Sequence, residues 1–221
     1  MAKKLKKGLF FTFEGPEGSG KSTQSTRLSK DLIASGYEVV HTAEPGGTPL
    51  GKKIRSILLE KDDIRLDSQA ELLLFEADRA QHIKELISPA IEEGKIVLCD
   101  RFNTATFAYQ GYGLGMDMSL IEGVDSIATG GLVPDVTILL DVDVETGLKR
   151  AGGVGAADRM EKRSVDFHEK VRDGYLELAE TSGGRIRVVK VEEDKEETYS
   201  SVKKEVYDFL EKNAKLKEEV L

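Results

Sequence analysis

Leu9-Phe10-Phe11-Thr12-Phe13-Glu14-Gly15-Pro16-Glu17-Gly18-Ser19-Gly20-Lys21-Ser22-Thr23 is the stretch from which the fold is read. The apolar run Leu9–Glu14 predicts a strand. A helical pattern follows over Ser22–Ser35, with Gly36 at its C′ position. Between them, Gly15–Ser22 matches G-x-x-x-x-G-K-[ST]. Glycines let the backbone curl so that several N–H groups point into one concavity. The helix behind the loop adds its positive dipole end. Lys21 can then reach the β- and γ-phosphates of ATP, and the Ser22 hydroxyl can ligate Mg²⁺. Gly15, Pro16, Glu17, Gly18, Ser19, Gly20, Lys21, Ser22 and Thr23 are therefore the expected ATP-binding loop. By itself this P-loop specifies phosphate binding and no particular reaction.

Outward from the loop, short apolar runs alternate with longer amphipathic segments. Further strands are predicted at Glu38–Thr42, Lys95–Cys99, Val136–Leu140 and Arg185–Val191. Helices are predicted at Thr48–Glu60, Met118–Thr129, Val144–Arg150, Arg163–Thr181 and Thr198–Lys212. A longer helix is expected from an N-cap at Asp67 or Ser68 to about Ser88, stopped by Pro89. Strands separated by helices pair in parallel with right-handed crossovers, and continuous apolar strands are covered on both faces. The expectation is one α/β domain, residues 1–221. Its core is a five-stranded parallel sheet of the P-loop NTPase kind, with helices on both faces.

The chain has 221 residues, 39% of them hydrophobic and 33% charged, with a net charge of −8. That balance excludes a general nucleic-acid surface, which needs a basic field. Cys99 is the only cysteine and there are three histidines. An intrachain disulfide is impossible, a structural zinc site is not expected, and Cys99 reads as a buried inert thiol. No secretory signal or membrane span is visible, so a cytoplasmic location is expected. The basic start, residues 1–7, reads as a solvated tail.

Asp100-Arg101 directly follows the third strand. Ligands of open parallel sheets sit beyond the carboxyl ends of strands. There Asp100 can hold Mg²⁺ through water, and Arg101 can bridge two phosphate groups with its planar fork. A helix N-cap with a solvated arginine is the plainer alternative. Phe75 and Arg79 lie four apart on one helix and share a face. They read either as a core aromatic and a surface ion pair, the commoner arrangement, or as a stacking platform and a donor to a base carbonyl.

Several motifs occur in order between about Phe10 and Leu178. They are Glu44-Pro45-Gly46-Gly47-Thr48, Leu73-Leu74-Phe75 with Ala77-Asp78-Arg79-Ala80-Gln81-His82-Ile83, Asp100-Arg101-Phe102, and Ala108-Tyr109-Gln110-Gly111. Together they resemble bacterial thymidylate kinase. The resemblance implies transfer of the γ-phosphoryl of ATP to dTMP. It favours base binding for Phe75 and Arg79, and turns Thr106 and Gln110 toward the thymine edge and neighbouring sugar. It sets Tyr109 against C2′ of deoxyribose, Arg55 at the acceptor phosphate, Glu17 at the 3′-hydroxyl, and Glu44-Pro45 as a wall of the acceptor site. Arg101 would serve both substrates. Two positions depart from the family pattern: Ala105 replaces a usual serine, and Ala43 a frequent arginine. The family also implies a homodimer.

Phosphoryl transfer needs positive charge over the moving group. Gly18 stands where some thymidylate kinases carry a P-loop arginine, so the charge is expected from a lid over about residues 149–167. Its arginines are Arg150, Arg159 and Arg163, of which Arg159 and Arg150 are the first candidates, with Lys21 and Arg101, for catalysis. Asp141 and Asp143 read as metal-linked or as capping residues. The acidic loop Glu192-Glu193-Asp194-Lys195 allows no adenine contact to be assigned. Rival readings are a kinase of dUMP or UMP, since one methyl group is worth only about 1–3 kcal/mol, and a regulatory P-loop ATPase.

Overall fold

The structure is a computed structural model and describes residues 3–59, 66–152, 159–160 and 162–216. Five parallel strands form one sheet: β1 (Leu9–Glu14), β2 (Val39–Ala43), β3 (Ile96–Asp100), β4 (Val136–Asp141) and β5 (Ile186–Lys190), in the order β2-β3-β1-β4-β5. The connecting helices are α1 (Lys21–Ala34), α2 (Pro49–Leu59), α3 (Ser68–His82), α4 (Ser88–Glu92), α5 (Asn103–Thr106), α6 (Met118–Thr129), α7 (Val144–Gly152), α8 (Val165–Thr181) and α9 (Lys195–Asn213). The expected strands and helices are present, with ends shifted by up to three residues.

Alternation along β1 explains why the run is apolar throughout. Phe11 and Phe13 join Leu28 and Leu32 of α1 and Val202 and Val206 of α9 on one face of the sheet. Phe10 points the other way, against Ile83, Ile87 and Phe102, meeting the Phe102 ring edge-on at 5.0 Å. A third cluster, with Leu139, Tyr109, Phe167, Val171 and Tyr175, seats α8. Both faces are covered, as a parallel sheet requires. The loops after β1, β2 and β3 therefore converge at one carboxyl edge, where the Glu44 amide donates to the Asp100 carbonyl at 2.9 Å.

Two expectations are corrected. Pro89 does not end the long helix. After α3 the chain widens into a π-turn over Ile83–Ile87, then continues as α4 with Pro89 in its first turn. A proline lacks the amide and crowds the preceding turn, and a widened turn accommodates both defects. The basic start is also not a solvated tail among its described residues. Leu5 is 1% exposed and belongs to the core. The amides of Lys3, Leu5 and Lys6 donate to Gly36, Gly94 and Lys215 carbonyls at 2.6, 3.0 and 2.7 Å. A single leucine among lysines is enough to anchor the strand-like segment while the ammonium groups face water.

Candidate active site

The P-loop turns from β1 into α1 through glycines in the left-handed region, among them Gly18 at φ 66° and Gly20 at φ 88°. Lys21 Nζ donates to the Gly15 and Pro16 carbonyls at 3.0 and 2.8 Å and to Ser19 Oγ at 3.2 Å. Burial, with the nearby charge of Arg101, pulls the Lys21 ammonium down to about 7. Gly18 has a second constraint. A Cβ there would lie 1.9 Å from the Gly147 carbonyl of α7, and a Cβ on Gly147 would lie 2.4 Å from the Glu17 carbonyl. This loop therefore has no room for a side chain at position 18, which accounts for the absence of a P-loop arginine.

Arg101 is the only non-glycine residue with positive φ among the described residues, at 66°. Such a backbone costs on the order of 1–3 kcal/mol and persists where the surroundings impose it. Here four groups hold the guanidinium: Glu17 Oε1 at 2.7 Å, Tyr109 Oη at 3.1 Å, Tyr175 Oη at 3.3 Å and the Gly15 carbonyl at 3.4 Å. Tyr109 also donates to Glu17 Oε1 at 2.7 Å. Burial alone would push the Glu17 carboxyl up, but Arg101, Lys21 and this hydroxyl hold it at about 2. Beneath them lies Glu14, fully buried at the end of β1. It accepts from the Phe102 amide at 2.7 Å and from Tyr175 Oη at 2.9 Å. Burial raises its carboxyl to about 7 against the opposing pull of Arg101.

The opposite wall is made of side chains. Glu44 sits at the end of β2, before a cis peptide to Pro45. It accepts from Arg79 Nε at 3.0 Å and pairs with His82 Nδ1 at 2.9 Å. Arg79 is 2% exposed. Its Nη1 also donates to Glu76 and, at 3.1 Å, to Thr106 Oγ1. Burial opposes its charge, but the surrounding carboxylates of Glu44 and Glu76 outweigh this and hold the guanidinium firmly protonated. Gln110 Nε2 donates to Glu71 Oε1 at 3.0 Å. Arg55 Nη1 donates to the Pro45 carbonyl at 2.7 Å. These elements enclose a cleft of about 460 Å³. The cleft brings together Glu17, Gly18, Gly20, Lys21, Ser22 and Thr23 with Glu44, Pro45, Arg55, Phe75, Arg79, Arg101, Thr106, Tyr109 and Gln110. Ala105 lines it too.

Asp100 lies just outside that lining. Burial would raise its carboxyl, but His41, Ser25 and Ser22 hold it below the usual range. Its Oδ1 is buried and makes no close hydrogen bond among the described residues, with His41 Nε2 3.6 Å away. An ionised carboxylate with an oxygen not closely hydrogen-bonded, near a serine hydroxyl, suits a hard, oxygen-bound cation. Another acid–histidine–thiol group, Glu44, His82 and Cys99, has its ligand atoms within 4.8 Å of one another. Its hydrogen bonds are already made within the protein, and burial raises the Cys99 thiol well above its ordinary range, which disfavours a thiolate ligand.

The structure does not bring the lid arginines into the cleft. Arg150 is exposed on α7, Arg159 is half-buried, and neither lines the cleft, whose lid-side residues are Ala151 and Met160. Arg163 pairs instead with Glu71 Oε2 at 2.9 Å. Residues 153–158, in the middle of the expected lid, lie outside the described residues. Asp143 accepts from the Thr146 amide and Asp141 from both Nε and Nη2 of Arg172, so capping and ion pairing account for both. Sequence reasoning missed Glu14, Glu71, Glu76, His82 and Tyr175. A signal existed for some of them. Glu71, Asp78, Arg79 and His82 recur at helical spacing around Phe75, polar side chains on a face that elsewhere would be apolar.

A P-loop facing a side-chain wall across one cleft, at the carboxyl edge of a parallel sheet, defines a P-loop kinase with a separate acceptor site. Comparison with known proteins narrows the class. The thymidylate kinase family model matches residues 13–202. A thymidylate kinase of Halothermothrix orenii is 52% identical over 177 residues, covering 79% of this chain and 85% of that protein. One of Desulfovibrio desulfuricans is 45% identical over 214 residues, covering 94% and 99%. The crystal structure of thymidylate kinase from Ehrlichia chaffeensis superposes with a TM-score of 0.74 at 37% identity, covering 91% of this chain and 99% of that one. The chain belongs to the thymidylate kinase family.

Proposed function

We propose that the cleft is where the γ-phosphoryl of ATP passes to the 5′-phosphate of dTMP, the reaction of the family, giving dTDP and ADP. The observation that carries this reading is the meeting of Lys21, Ser22 and Thr23 with Phe75, Arg79, Thr106, Tyr109 and Gln110 in one cavity. Lys21 and the loop amides hold the ATP phosphates. Arg101, between Glu17 and the loop, lies where donor and acceptor phosphates meet. Phe75 stacks on the pyrimidine, Arg79 and Gln110 read its edge, and Arg55 takes the acceptor phosphate. Glu17 receives the sugar hydroxyl, and Tyr109 packs where a ribose 2′-hydroxyl would be left unpaired.

The acceptor oxygen is already anionic, so no general base is needed, and positioning with charge neutralisation does the work. Ser22 directly, and Asp100 through water, are the residues to hold Mg²⁺. Bound there, Mg²⁺ would supply charge neutralisation for the transferred phosphoryl group. Closure of a lid over about residues 149–167 brings Arg159 or Arg150 to the cleft and excludes water. The whole chain then acts as one domain. A homodimer is supported by apolar side chains on mutually packed helices, Leu50 and Ile57 of α2, Leu73 of α3, and Leu120 and Ile127 of α6, with Ile127 84% exposed. No described helix is long and apolar enough to cross a membrane. The proposed location is the cytoplasm, where a kinase of free nucleotides meets its substrates.

A coupled assay with dTMP, dUMP, UMP, CMP and AMP tests the assignment. Highest kcat/KM is expected for dTMP, and a clear preference for any other acceptor sinks it. ATP consumption independent of every acceptor would favour the regulatory ATPase instead.

A further inference from the structure

The hydrogen bond between Gln110 and Glu71 has a direction that matters for which base the cleft accepts. A glutamine amide can present either its carbonyl oxygen or its NH₂ group to a ligand, and the two faces recognise opposite partners. Glu71 removes that freedom. It is 2% exposed, and its carboxylate pairs with Arg163 Nη2 at 2.9 and 3.3 Å. An arginine-paired carboxylate only accepts hydrogen bonds, so it selects the NH₂ end of Gln110, which it holds at 3.0 Å. The carbonyl end is thereby left free of Glu71, on a residue that lines the cleft. On the neighbouring element, Arg79 uses Nε and Nη1 on protein acceptors, and among the described residues no acceptor is bonded to its Nη2. The wall thus offers one acceptor beside one donor.

We infer that Glu71 is a positioning residue for base selection: by fixing the orientation of the Gln110 amide, it makes the cleft accept lactam pyrimidines and reject amino pyrimidines. Thymine presents an N3–H donor and an O4 acceptor, which match Gln110 Oε1 and Arg79. Cytosine presents an N3 acceptor and an N4 donor, which set lone pair against lone pair and N–H against N–H. Both mismatches strand buried polar groups, the situation in which discrimination is largest. Glu71 touches no substrate atom in this arrangement. Because Arg163 precedes α8 at the root of the expected lid, the same carboxylate also ties the base-reading glutamine to the lid side of the cleft.

The inference rests on the reading of this cleft as the dTMP site. The test is kcat/KM for dTMP against dCMP in wild type, Glu71→Gln and Glu71→Asp. Wild type is expected to favour dTMP by about a hundredfold or more. Glu71→Gln keeps the shape but can pair with either end of the Gln110 amide. It should lower the dTMP/dCMP ratio by about tenfold, through a raised KM for dTMP and with KM for ATP unchanged. Glu71→Asp keeps an acceptor and should retain most of the ratio. In a Gln110→Ala background, Glu71→Gln should no longer change the ratio. A folded Glu71→Gln protein with an unchanged ratio overturns the role of Glu71 while leaving the site reading intact. A wild type without preference for dTMP over dCMP overturns the site reading itself. Should Glu71→Gln fail to fold, the side-chain amide of Gln110 in the wild-type protein decides. A slowly exchanging proton is expected in the bond to Glu71, and two freely exchanging protons overturn the inference.

Discussion

The two walls of the cleft recognise their substrates by different means. The donor wall is one contiguous stretch, residues 15–23, and it works with backbone: curled amides, a helix start and one lysine held inward by loop carbonyls. The acceptor wall draws on β2, α2, α3, α5 and a second π-turn that follows α5 over Phe107–Gly113, and it works with side chains that hold one another: Glu44 with Arg79 and His82, Arg79 with Thr106, Glu71 with Gln110. Phosphate is the same in every nucleotide, so a generic cradle suffices. A base must be told from other bases, and that requires donors and acceptors fixed in direction by further partners.

The difference can be broken at either wall. The largest effect is expected from Lys21→Met. Loss of the cation over the phosphates should lower kcat by on the order of a thousandfold. Steady-state kinetics should show the same loss whichever acceptor is supplied, because the donor wall does not read the base. An acceptor-dependent loss would blur the comparison. Next comes Arg79→Met on the acceptor wall. It strands the carboxylates of Glu44 and Glu76 in a buried site, and should cost about 3 kcal/mol of stability in addition to raising KM for dTMP. Urea unfolding of the variant measures the first part, and a loss below about 0.5 kcal/mol would mean the network is less rigid than its hydrogen bonds imply.

The smallest and most specific effect concerns Glu14, beneath both walls. Its carboxyl is raised to about 7 from an ordinary value of 4.5, chiefly by burial. Between those pH values the native state binds more protons than the unfolded state, so this group makes stability fall as pH rises through the window. Glu14→Gln cannot titrate. The difference in Tm between variant and wild type should therefore move in the variant's favour from pH 4.5 to pH 7 and level off beyond it. A pH-independent difference would mean Glu14 is charged throughout, held by Arg101 and Lys21.

Much of this organisation is legible in the sequence. The P-loop is read from consecutive residues, and the strand–helix alternation implied the parallel sheet and the edge at which Asp100, Arg101 and Glu44 meet. The failures share a cause. Proline breaks a regular α-helix and so predicts a stop at Pro89, whereas the chain passes through a π-turn whose Ile83 and Ile87 are buried in the core, and then continues. Lysines dominate a reading of the basic start by composition and predict a tail, whereas Leu5 finds a place in a core built from distant segments. The roles of Glu71 and His82 do not follow from α3 alone, because their partners, Gln110 and Arg163 for one and Thr42 and Glu44 for the other, lie on other elements.

The amino-acid sequence by itself determined the phosphate loop, the order of the secondary elements, the class of fold and, through its motifs, the family. These are local or periodic properties, set by φ/ψ preference, hydrophobic spacing and contiguous residues. Tertiary structure alone decided three things. Gly18 has no space for a side chain against Gly147, Arg101 is held between Glu17 and two tyrosines, and the Gln110 amide faces Glu71 with one chosen end. Each depends on atoms brought together from far apart in the chain, where packing and the direction of a hydrogen bond carry information that spacing along the sequence does not.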